Sequence, residues 1–392
     1  MDRGRKVRIG LLADVYKPFM SGVTYFVSQH KQALEALGHE VFVFTLGHVD
    51  YEDEESHVYR SPAIPVTETG YHFGFAYSRP ARQQLRTMDL LHVQHPFISG
   101  MLAVTYGRRY GMPVIFTHHS RYDRVVPHYL PLVPDSVPEA LLEAYLPWFA
   151  NRCQAVTSPT EVIRRLLRRY GVTVRIAVLP NGVNLSPFRT PAGRQTRAGL
   201  GLSEKAGVSV YVGRIAPEKN LSFLLRAFAR VRRELPEAYL VVVGYGPGER
   251  ELHDQAKALG IVQNTLFTGR VPYEQVPDYL ALADLFVTAS TVEVQPLSII
   301  EGLAAGLPAV AIASDAVSDT LVDGYNALLS AYDSERFAGR WARALSDADL
   351  RARLSANARG SSRRYEVHRT AAQMAELYQE VVEAYRRRPE GD

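Results

Sequence analysis

The chain has 392 residues, of which 46% are hydrophobic and 22% charged, and its formal net charge is +4. This composition excludes a disordered, collagen-like or disulfide-stapled protein, because each of those classes requires a composition far from that of an ordinary globular chain. At roughly 150 residues per domain, the length predicts two or three domains. The single cysteine, Cys153, cannot form an internal disulfide, which predicts a reducing compartment.

The apolar run near the N terminus is interpreted as a buried strand. No apolar run approaches the roughly 18 to 20 residues that cross a bilayer. The basic start followed by residues 7–13 is similar to a signal peptide, but the run is short and Asp14 and Lys17 follow at once. The prediction is therefore a cytoplasmic protein.

The net charge divides unevenly along the chain. Residues 57–185 contain 14 Arg and 7 acidic residues, whereas residues 186–392 contain 25 charged residues of each sign. A basic surface of this kind suits anionic lipid, nucleic acid or a phosphorylated ligand. A general preference for arginine explains it equally well, because the chain has 39 Arg and only 6 Lys.

Short apolar strands alternate with amphipathic helices along the first half, which predicts a parallel sheet covered by helices on both faces. Ser158, Pro159 and Glu161 suit the N-cap, first-turn proline and capping-box partner of a helix that Gly171 ends. The predicted elements are strands at 7–13, 41–45, 90–94, 114–117 and 176–179 and a first helix at 23–37.

The same alternation begins again after residues 181–197, a stretch rich in glycine, proline and polar residues that is typical of a linker. We therefore predict two doubly wound α/β domains, 1–185 and 186–370, followed by a C-terminal helix in 371–392. The predicted elements of the second half are strands at 208–212, 239–243, 265–268, 285–289 and 309–313 and helices at 221–235 and 249–259.

Ligands of open parallel sheets bind beyond the carboxyl ends of the strands, so the loops there are the candidate sites. Gly213 and Arg214 follow a predicted strand, and Lys219 comes just before a helix. A guanidinium and an ammonium beside helix N-terminal amides suit a diphosphate. Taken alone, the pair is explained as well by a surface arginine and a first-turn lysine.

Gly244 and Gly246 follow the next strand and open a helix. Their missing side chains let the backbone approach a phosphate or a sugar. The pair is not the full dinucleotide fingerprint, and the acidic residue expected about 20 residues later is missing, so NAD binding is not predicted.

Glu293 and Glu301 bracket a loop that leads from a predicted strand into a helix. Pro296 and Ser298 open this helix, so the amides of Leu297 and Ser298 can face an anion or a hydroxyl. Both carboxylates can accept hydrogen bonds from a polyol. The alternative is a loop glutamate and a helix-terminal glutamate without a functional role.

Together with residues 267–271, these segments resemble, in order and spacing, the donor half of retaining glycosyltransferases with the GT-B fold. More narrowly, the chain resembles the large family of sucrose synthases, bacterial mannosyltransferases and diacylglycerol glucosyltransferases, and residues 14–23, 38–41 and 179–183 agree. The resemblance implies two Rossmann-like domains that face each other across a cleft, with the C-terminal helix crossing back to the first.

The resemblance also implies a role for each matching residue. Arg214 and Lys219 would bind the diphosphate and neutralise the leaving group, Glu301 would accept from ribose hydroxyls, and Glu293 from hydroxyls of the transferred sugar. His119 matches the family histidine that touches the donor sugar near the reaction centre. The other implied donor contacts are Gly22, Val23, Gly213, Gly244, Gly246, Arg270, Val271, Pro296, Leu297 and Ser298.

The implied chemistry uses a nucleotide sugar, with UDP-glucose favoured, and no essential metal or other cofactor. Cations and amides would stabilise the leaving group while the acceptor hydroxyl attacks on the same face, giving an alpha linkage without a covalent intermediate on Glu293. Gln295 and Pro296 stand where many relatives have an aromatic residue and glycine, which leaves the sugar open.

The acceptor loops are most similar to those of diacylglycerol glucosyltransferases. Residues 94–97 and 117–131 are dense in His, Tyr and Pro, and aromatic residues beside basic ones suit a hydroxyl presented at a membrane surface. The implied acceptor contacts are Asp14, His95, Tyr122 and Tyr129.

Two further stretches suit a membrane. Tyr71, Phe73, Phe75 and Tyr77 alternate along the chain, and a half-buried strand explains them equally well. The helix that begins near residue 161 carries arginines against an apolar face, typical of a helix on anionic lipid and also of an ordinary surface helix. The predicted membrane contacts, on the inner face of the cell membrane, are Arg164, Arg165, Arg168 and Arg169.

Other functions stay open. The same donor half could serve a soluble acceptor such as a sugar, a sugar phosphate or glycerate, or a protein that binds sugar nucleotides without catalysis. A non-catalytic protein that binds nucleic acid or a membrane through its basic half is a less favoured alternative, because the chain shows no helix-turn-helix, zinc or RNA-recognition signature. The nucleotide base and the oligomeric state are not determined by the sequence.

Overall fold

A computed structural model describes residues 6–65, 71–120 and 136–388. For residues 136–140 it describes the backbone but not the side chains. The chain divides into two compact units, Met1–Gly182 with Val367–Asp392 and Val183–Glu366. Val183 pairs with Glu366 at the point where the chain passes between the units. The observed boundaries thus lie within four residues of the divisions expected at 185 and 370.

The first unit is built on a seven-stranded parallel sheet with strand order β3-β2-β1-β6-β7-β8-β9. Its strands are β1 (Arg8–Leu12), β2 (Glu40–Leu46), β3 (Val58–Ser61), β6 (Leu90–Val93), β7 (Val114–Thr117), β8 (Ala155–Ser158) and β9 (Arg175–Val178), and β4 (Ile64–Pro65) and β5 (His72–Phe73) form a separate antiparallel hairpin. The helices are α1 (Gly22–Ala36), α2 (Arg79–Leu85), α3 (Ile98–Tyr110), α4 (Ser136–Ala150) and α5 (Glu161–Arg169).

The second unit is built on a six-stranded parallel sheet with strand order β12-β11-β10-β13-β14-β15. Its strands are β10 (Gly207–Val212), β11 (Ala238–Val243), β12 (Thr265–Gly269), β13 (Leu285–Thr288), β14 (Ala309–Ile312) and β15 (Ala327–Ser330). Its helices are α6 (Ser186–Arg189), α7 (Leu221–Glu234), α8 (Glu249–Ala258), α9 (Val276–Ala281), α10 (Leu297–Ala305), α11 (Asp315–Ser318), α12 (Ser334–Ser346) and α13 (Ala348–Ser362).

The C-terminal helix α14 (Val367–Arg386) belongs to the core of the first unit. Its buried Tyr378 lies 3.1 Å from His30 Nε2 and 2.6 Å from His92 Nδ1 through the phenol oxygen. Burial lowers the pKa of His30 to about 3. The tyrosine therefore joins α14 to α1 and β6 through two neutral histidines.

The two parallel sheets confirm the predicted α/β class. The sequence pattern could predict it because strands covered on both faces form nearly continuous apolar runs. The N-cap prediction for α5 was wrong. Thr160, not Ser158, accepts the hydrogen bond from the Ile163 amide, while Ser158 still ends β8. Among the helices of the described residues, none has the length and apolar character needed to span a bilayer.

Candidate active site

The candidate donor site lies at the carboxyl edge of the second sheet. The strand order reverses between β10 and β13, and such a reversal is where open α/β sheets bind ligands. The loops that follow β10, β11, β12 and β13 carry the predicted donor residues. The sheet therefore gathers residues from four separate parts of the sequence at one edge.

The glycines after β11 allow this loop to pack against the loop after β10. Gly244 has φ +146°, and a Cβ there would lie 1.9 Å from the carbonyl oxygen of Gly213; one at Gly246 would lie 2.2 Å from the carbonyl oxygen of Ile215. The Ile215 amide also donates to the Tyr245 carbonyl at 2.9 Å. The missing side chains thus allow contact between two backbones, and their contact with a ligand stays a prediction.

Lys219 and Glu293 meet across the reversal. Asn220 takes a left-handed conformation, φ +57°, directly after Lys219, and its side-chain amide donates to the Ala289 carbonyl at 3.3 Å. Lys219 Nζ donates to Glu293 Oε1 at 2.6 Å, and Ser290 Oγ donates to the same oxygen at 2.8 Å. The predicted phosphate-binding cation and sugar-binding carboxylate therefore form one charged pair.

Arg214 lies on the more exposed side of the same loop, with 60% of its side chain accessible. Its guanidinium pairs with Glu218 at 2.5 Å. Burial raises the pKa of Glu218, but the hydrogen bonds from Arg214 and from the backbone, together with the charges of Arg214 and Lys219, outweigh burial, so that the net shift is downward. The Tyr211 hydroxyl donates to the Arg214 carbonyl at 3.0 Å and holds the backbone of this residue.

Glu301 is a buried carboxyl on α10, with only 4% of the residue exposed. Tyr273, from the loop after β12, donates its phenol hydrogen to Glu301 Oε1 at 2.6 Å. Burial raises the pKa of Glu301 to about 7, although the Tyr273 hydrogen bond acts in the opposite direction. The residue predicted to bind ribose is thus near its midpoint of ionisation at neutral pH.

The remaining donor residues surround these pairs. Pro296 is the N-cap of α10, so the amides of Leu297 and Ser298 belong to the first turn, where helix amides lack partners within the helix. The guanidinium carbon of Arg270 lies 5.1 Å from the ring centroid of Tyr245, which places a planar cation over an aromatic ring. Val271 follows Arg270 and packs at the edge of the apolar core.

In the first unit, His119 lies beyond the end of β7 and contacts Gln94. His119 Nε2 and Gln94 Oε1 are 2.8 Å apart, and the Gln94 amide nitrogen donates to the His92 carbonyl at 3.3 Å. The amide orientation makes His119 Nε2 the donor and leaves Nδ1 as an acceptor. Burial, reinforced by the nearby histidines His95 and His92, lowers the pKa of His119 well below its usual value.

Gly22 and Val23 begin helix α1 behind an N-cap at Ser21, whose hydroxyl accepts from the Thr24 amide at 3.1 Å. A Cβ on Gly22 would meet no atom within 4 Å. The space beside Gly22 is therefore open, which suits the predicted contact between the amides of this helix terminus and a diphosphate.

Asp14 and His95, two predicted acceptor contacts, are buried and hydrogen-bonded to the protein itself. Asp14 Oδ1 accepts from the Ser99 amide at 2.6 Å and so caps helix α3, while His95 Nδ1 accepts from the Asp14 amide at 3.2 Å. Burial lowers the pKa of His95 even though Asp14 opposes the shift. Both residues hold the loops together; Tyr122 and Tyr129 lie outside the described residues.

Helix α5 packs its apolar face into the first unit, with Ile163, Leu166 and Leu167 buried. Its apolar face is therefore not available for insertion into a bilayer, and only an electrostatic contact stays predicted. Two of its arginines have partners nearby, because Arg164 pairs with Glu161 and Arg168 donates to the Val172 carbonyl. All four predicted contact residues are exposed: Arg164, Arg165, Arg168 and Arg169.

Four residues in these contacts were not predicted. Tyr273, Ser290 and Gln94 each bond to a predicted residue, and Asn220 sets the turn that places Lys219. An asparagine directly before a helix is a usable signal for a left-handed turn, whereas the other three become recognisable only from the fold. Among residues 6–65, 71–120 and 136–388, no group of three or more His, Cys, Asp or Glu side chains could hold a metal ion.

The fold defines a protein with two Rossmann-like domains, and its second unit carries the predicted donor residues at one edge of the sheet. Family models agree: one described as Glycosyltransferase Family 4 matches residues 20–187, and one described as Glycosyl transferases group 1 matches residues 194–361. Anabaena HepE, whose structure was solved with UDP, superimposes with a TM-score of 0.75 at 20% identity, covering 94% of this chain and 99% of that one.

Two named relatives have higher sequence identity. An alpha-monoglucosyldiacylglycerol synthase of Streptococcus pneumoniae is 33% identical over 332 residues, which are 81% of this chain and 74% of the relative. A D-inositol 3-phosphate glycosyltransferase of Salinispora arenicola is 30% identical over 325 residues, 76% of this chain and 70% of the relative. The chain therefore belongs to the group 1 glycosyltransferases of the GT-B fold, which confirms the family resemblance.

Proposed function

We propose that this glycosyltransferase moves glucose from UDP-glucose to the free hydroxyl of diacylglycerol and forms an alpha-glycosidic bond. The observation that carries the proposal is the Lys219–Glu293 pair, 2.6 Å apart at the strand-order reversal beside Arg214. The pair supports the proposal because it brings a cation that would bind phosphate beside a carboxylate that would accept from sugar hydroxyls. The choice of lipid rests on the streptococcal relative, whose name states a diacylglycerol product.

Each charged pair has a part in donor binding. Arg214 and Lys219 take the two phosphates, and the amides that begin α10 add hydrogen-bond donors at the same edge. Glu301 accepts from ribose hydroxyls after the Tyr273 phenol moves away. Glu293 accepts from hydroxyls of the sugar and keeps Lys219 beside the diphosphate, so donor binding exchanges protein hydrogen bonds for ligand hydrogen bonds.

The transfer step retains the configuration of the anomeric carbon. The oxygen of the acceptor hydroxyl forms the new bond to that carbon as the bond to UDP breaks, and its proton passes to the departing phosphate oxygen. Arg214, Lys219 and the helix amides stabilise the negative charge on the leaving diphosphate. His119, in its neutral form, accepts a hydrogen bond from the sugar, and these residues need no metal ion for their roles.

A soluble, phosphorylated acceptor is the second candidate. The Salinispora relative is named for an inositol phosphate, and residues 57–185 of this chain carry twice as many arginines as acidic residues. Those arginines would then bind the phosphate of the acceptor instead of facing a membrane.

A panel of donors and acceptors tests both candidates. Purified enzyme is offered UDP-glucose, UDP-galactose, UDP-N-acetylglucosamine or GDP-mannose with diacylglycerol in micelles, a monoglycosyl lipid, or inositol 3-phosphate. We expect alpha-glucosyl diacylglycerol from UDP-glucose, identified by mass spectrometry and by the anomeric proton coupling. Transfer only to the soluble phosphate supports the second candidate, and a beta product contradicts retention.

We also propose that the enzyme is peripheral on the inner face of the cell membrane, with the arginines of α5 near anionic lipid. Each such charge contributes on the order of 1 kcal/mol near the surface. Arg165→Glu with Arg169→Glu should weaken sedimentation with phosphatidylglycerol vesicles, most at low salt. Replacing Arg226 and Arg233 of α7 by glutamate supplies a control with the same charge change, and equal loss in both variants would contradict the contact.

A further inference from the structure

The hairpin β4–β5 carries three large apolar side chains that are exposed to solvent. Ile64 is 70% exposed, Phe73 is 43% exposed and Phe75 is 82% exposed. Ile64 and Phe73 are direct partners across the two strands, and the rings of Phe73 and Phe75 meet edge to face with centroids 4.7 Å apart. We call these three side chains the apolar tip.

The side of the hairpin opposite the tip is held firmly. His72 is buried against Gly47, where a Cβ would lie 2.3 Å from the imidazole ring, and a Cβ on Gly74 would lie 3.4 Å from Leu46 at the end of β2. The Gly47 amide also donates to the Ser61 carbonyl at 2.8 Å. The tip therefore projects from an anchored base, so its exposure is not explained by loose packing of the hairpin.

The hairpin adjoins the candidate acceptor residues. The rings of Tyr71 and His95 meet edge to face with centroids 6.1 Å apart, and His95 in turn accepts from the Asp14 amide. β2, β1 and β6 are neighbours in the sheet, so the hairpin base and these residues lie at the same carboxyl edge.

The sequence that follows the tip is basic, which favours an anionic surface, although Glu68 lies between Ile64 and Phe73 in the sequence. Arg79, Arg82 and Arg86 follow Phe75 within eleven residues, and no acidic residue occurs between Phe75 and Asp89. Arg79 and Arg86 are exposed. Aromatic and aliphatic side chains beside arginines match the boundary between acyl chains and anionic headgroups.

We propose that Ile64, Phe73 and Phe75 insert into the headgroup region of an anionic bilayer and hold the acceptor edge of the first unit at the lipid surface. This inference rests on the proposed lipid acceptor and names the surface through which the membrane is engaged. It differs from the α5 contact, because α5 offers charge without an accessible apolar face.

Vesicle binding tests the apolar tip. We expect Phe73→Ser with Phe75→Ser to lower partitioning onto vesicles of phosphatidylcholine with phosphatidylglycerol by about tenfold or more, since apolar burial sets interfacial affinity. Leu37→Ser is the matched control, because Leu37 is 46% exposed at the end of α1, on the opposite edge of the same sheet. Equal partitioning of the two variants would overturn the proposal.

Site-specific labelling gives a second measurement that does not depend on how well a variant binds. Cys153 is buried and 3% exposed, so a cysteine introduced at an exposed position can be labelled selectively. In Phe75→Cys carrying an environment-sensitive dye, vesicles should shift the emission to shorter wavelength, and lipids brominated on the acyl chain should quench it. Label at Leu37→Cys should not respond, and an equal response at both positions contradicts insertion.

Two further measurements complete the test. One asks whether a second copy of the chain covers the tip, and the other separates failure of the tip proposal from failure of the proposed activity. If a second copy of the chain covers the tip, the wild-type protein is a dimer by light scattering and Phe75→Ser is a monomer, which would overturn the membrane proposal. Glucose transfer to diacylglycerol in detergent micelles should be the same for the wild type and Phe75→Ser. Vesicle binding through the tip without any such transfer supports the tip while contradicting the proposed function.

Discussion

The phenol of Tyr273 donates a 2.6 Å hydrogen bond to Oε1 of Glu301, a carboxyl that burial has moved to a pKa of about 7. Without nucleotide, the residue predicted to bind ribose is therefore occupied by the protein and half protonated near neutral pH. The raised pKa and the Tyr273 hydrogen bond affect both the stability of the donor-free protein and its affinity for the donor. A substitution of Glu301 that increases the stability should therefore decrease the affinity.

Replacing Glu301 by Gln should stabilise the donor-free protein at alkaline pH. A raised folded-state pKa means that the contribution of Glu301 to the free energy of unfolding is complete below the unfolded value, 4.5, and is lost as the pH rises through about 7. The difference is about 3 kcal/mol at pH 8, from 1.36 kcal/mol per unit of pKa. Unfolding in urea at pH 5 and pH 8 measures it.

In the exposed control Glu237→Gln, the pH dependence of unfolding should match the wild type. The same Glu301→Gln substitution should weaken donor binding, because an amide replaces a carboxylate that accepts from two hydroxyls. A variant that is neither more stable at pH 8 nor weaker for the donor would show that Glu301 is not the buried ribose contact.

Tyr273→Phe should move the pH dependence of donor binding. The phenol hydrogen bond lowers the pKa of Glu301, so its removal raises that pKa further above 7. In the wild type, the KM for the nucleotide sugar should rise as the pH falls below about 7, and in Tyr273→Phe this rise should begin at a higher pH. Initial rates across pH 5.5–9 check it, and coincident profiles would contradict a link between the two side chains.

Lys219→Ala should lower kcat by about 100-fold, because it removes one cation from the leaving diphosphate. Glu293→Ala should lower kcat by a similar factor, and the double variant by much less than the product, since the two side chains are hydrogen-bonded to each other. Single-turnover rates of all three variants form the thermodynamic cycle. Lys257→Ala, at an exposed lysine of α8, controls for the loss of a positive charge, and fully multiplicative effects would refute the pair.

Gly244→Ala should disrupt the packing of the loop after β11 against the loop after β10, which carries Arg214 and Lys219. Its Cβ would overlap the Gly213 carbonyl oxygen, and φ +146° is unfavourable for alanine. Gly260→Ala is the control, because Gly260 has φ +69° with no atom within 4 Å of a Cβ, so only the backbone strain of about 1–2 kcal/mol applies. Calorimetry should show a larger loss for Gly244→Ala, together with lost UDP affinity.

The repeating strands and helices were predictable, because strands covered on both faces, such as Ala309–Ile312, form nearly continuous apolar runs. The alternation of Tyr71, Phe73 and Phe75 was not decisive. It suits a half-buried strand, but only His72–Phe73 is extended in a sheet, and these aromatic residues are exposed while Tyr77 is buried. Alternation identifies residues that share a face without indicating whether anything covers that face.

The positions of the candidate donor residues after strands were predictable, but the pairing of their side chains was not. Lys219 and Glu293 are 74 positions apart, and they meet only because β13 lies beside β10. Tyr273 comes two residues after the last predicted contact of its loop, and nothing in its sequence neighbourhood separates it from a surface tyrosine. Contacts between distant loops depend on strand order, which local patterns do not encode.

The contact between Gln94 and His119 predicts a change in the ionisation of the histidine. Gln94→Glu would place a carboxylate about 3 Å from Nε2, where an opposite charge favours the imidazolium. We expect the pKa of His119 to rise into the range that NMR titration of ring-labelled histidine can follow, whereas the wild-type ring stays neutral down to acid pH. Gln83→Glu, at an exposed glutamine of α2, adds the same charge without touching the ring.

The kinetic consequence follows from the tautomer. Neutral His119 with its proton on Nε2 has a lone pair on Nδ1 that can accept from a sugar hydroxyl, and the imidazolium has none. In Gln94→Glu, kcat/KM should therefore fall on the acid side of the new pKa, while the wild type and Gln83→Glu keep flat profiles there. If the ring titrates in Gln94→Glu but transfer does not follow it, Gln94 sets the ionisation of His119 and His119 does not contact the sugar through Nδ1.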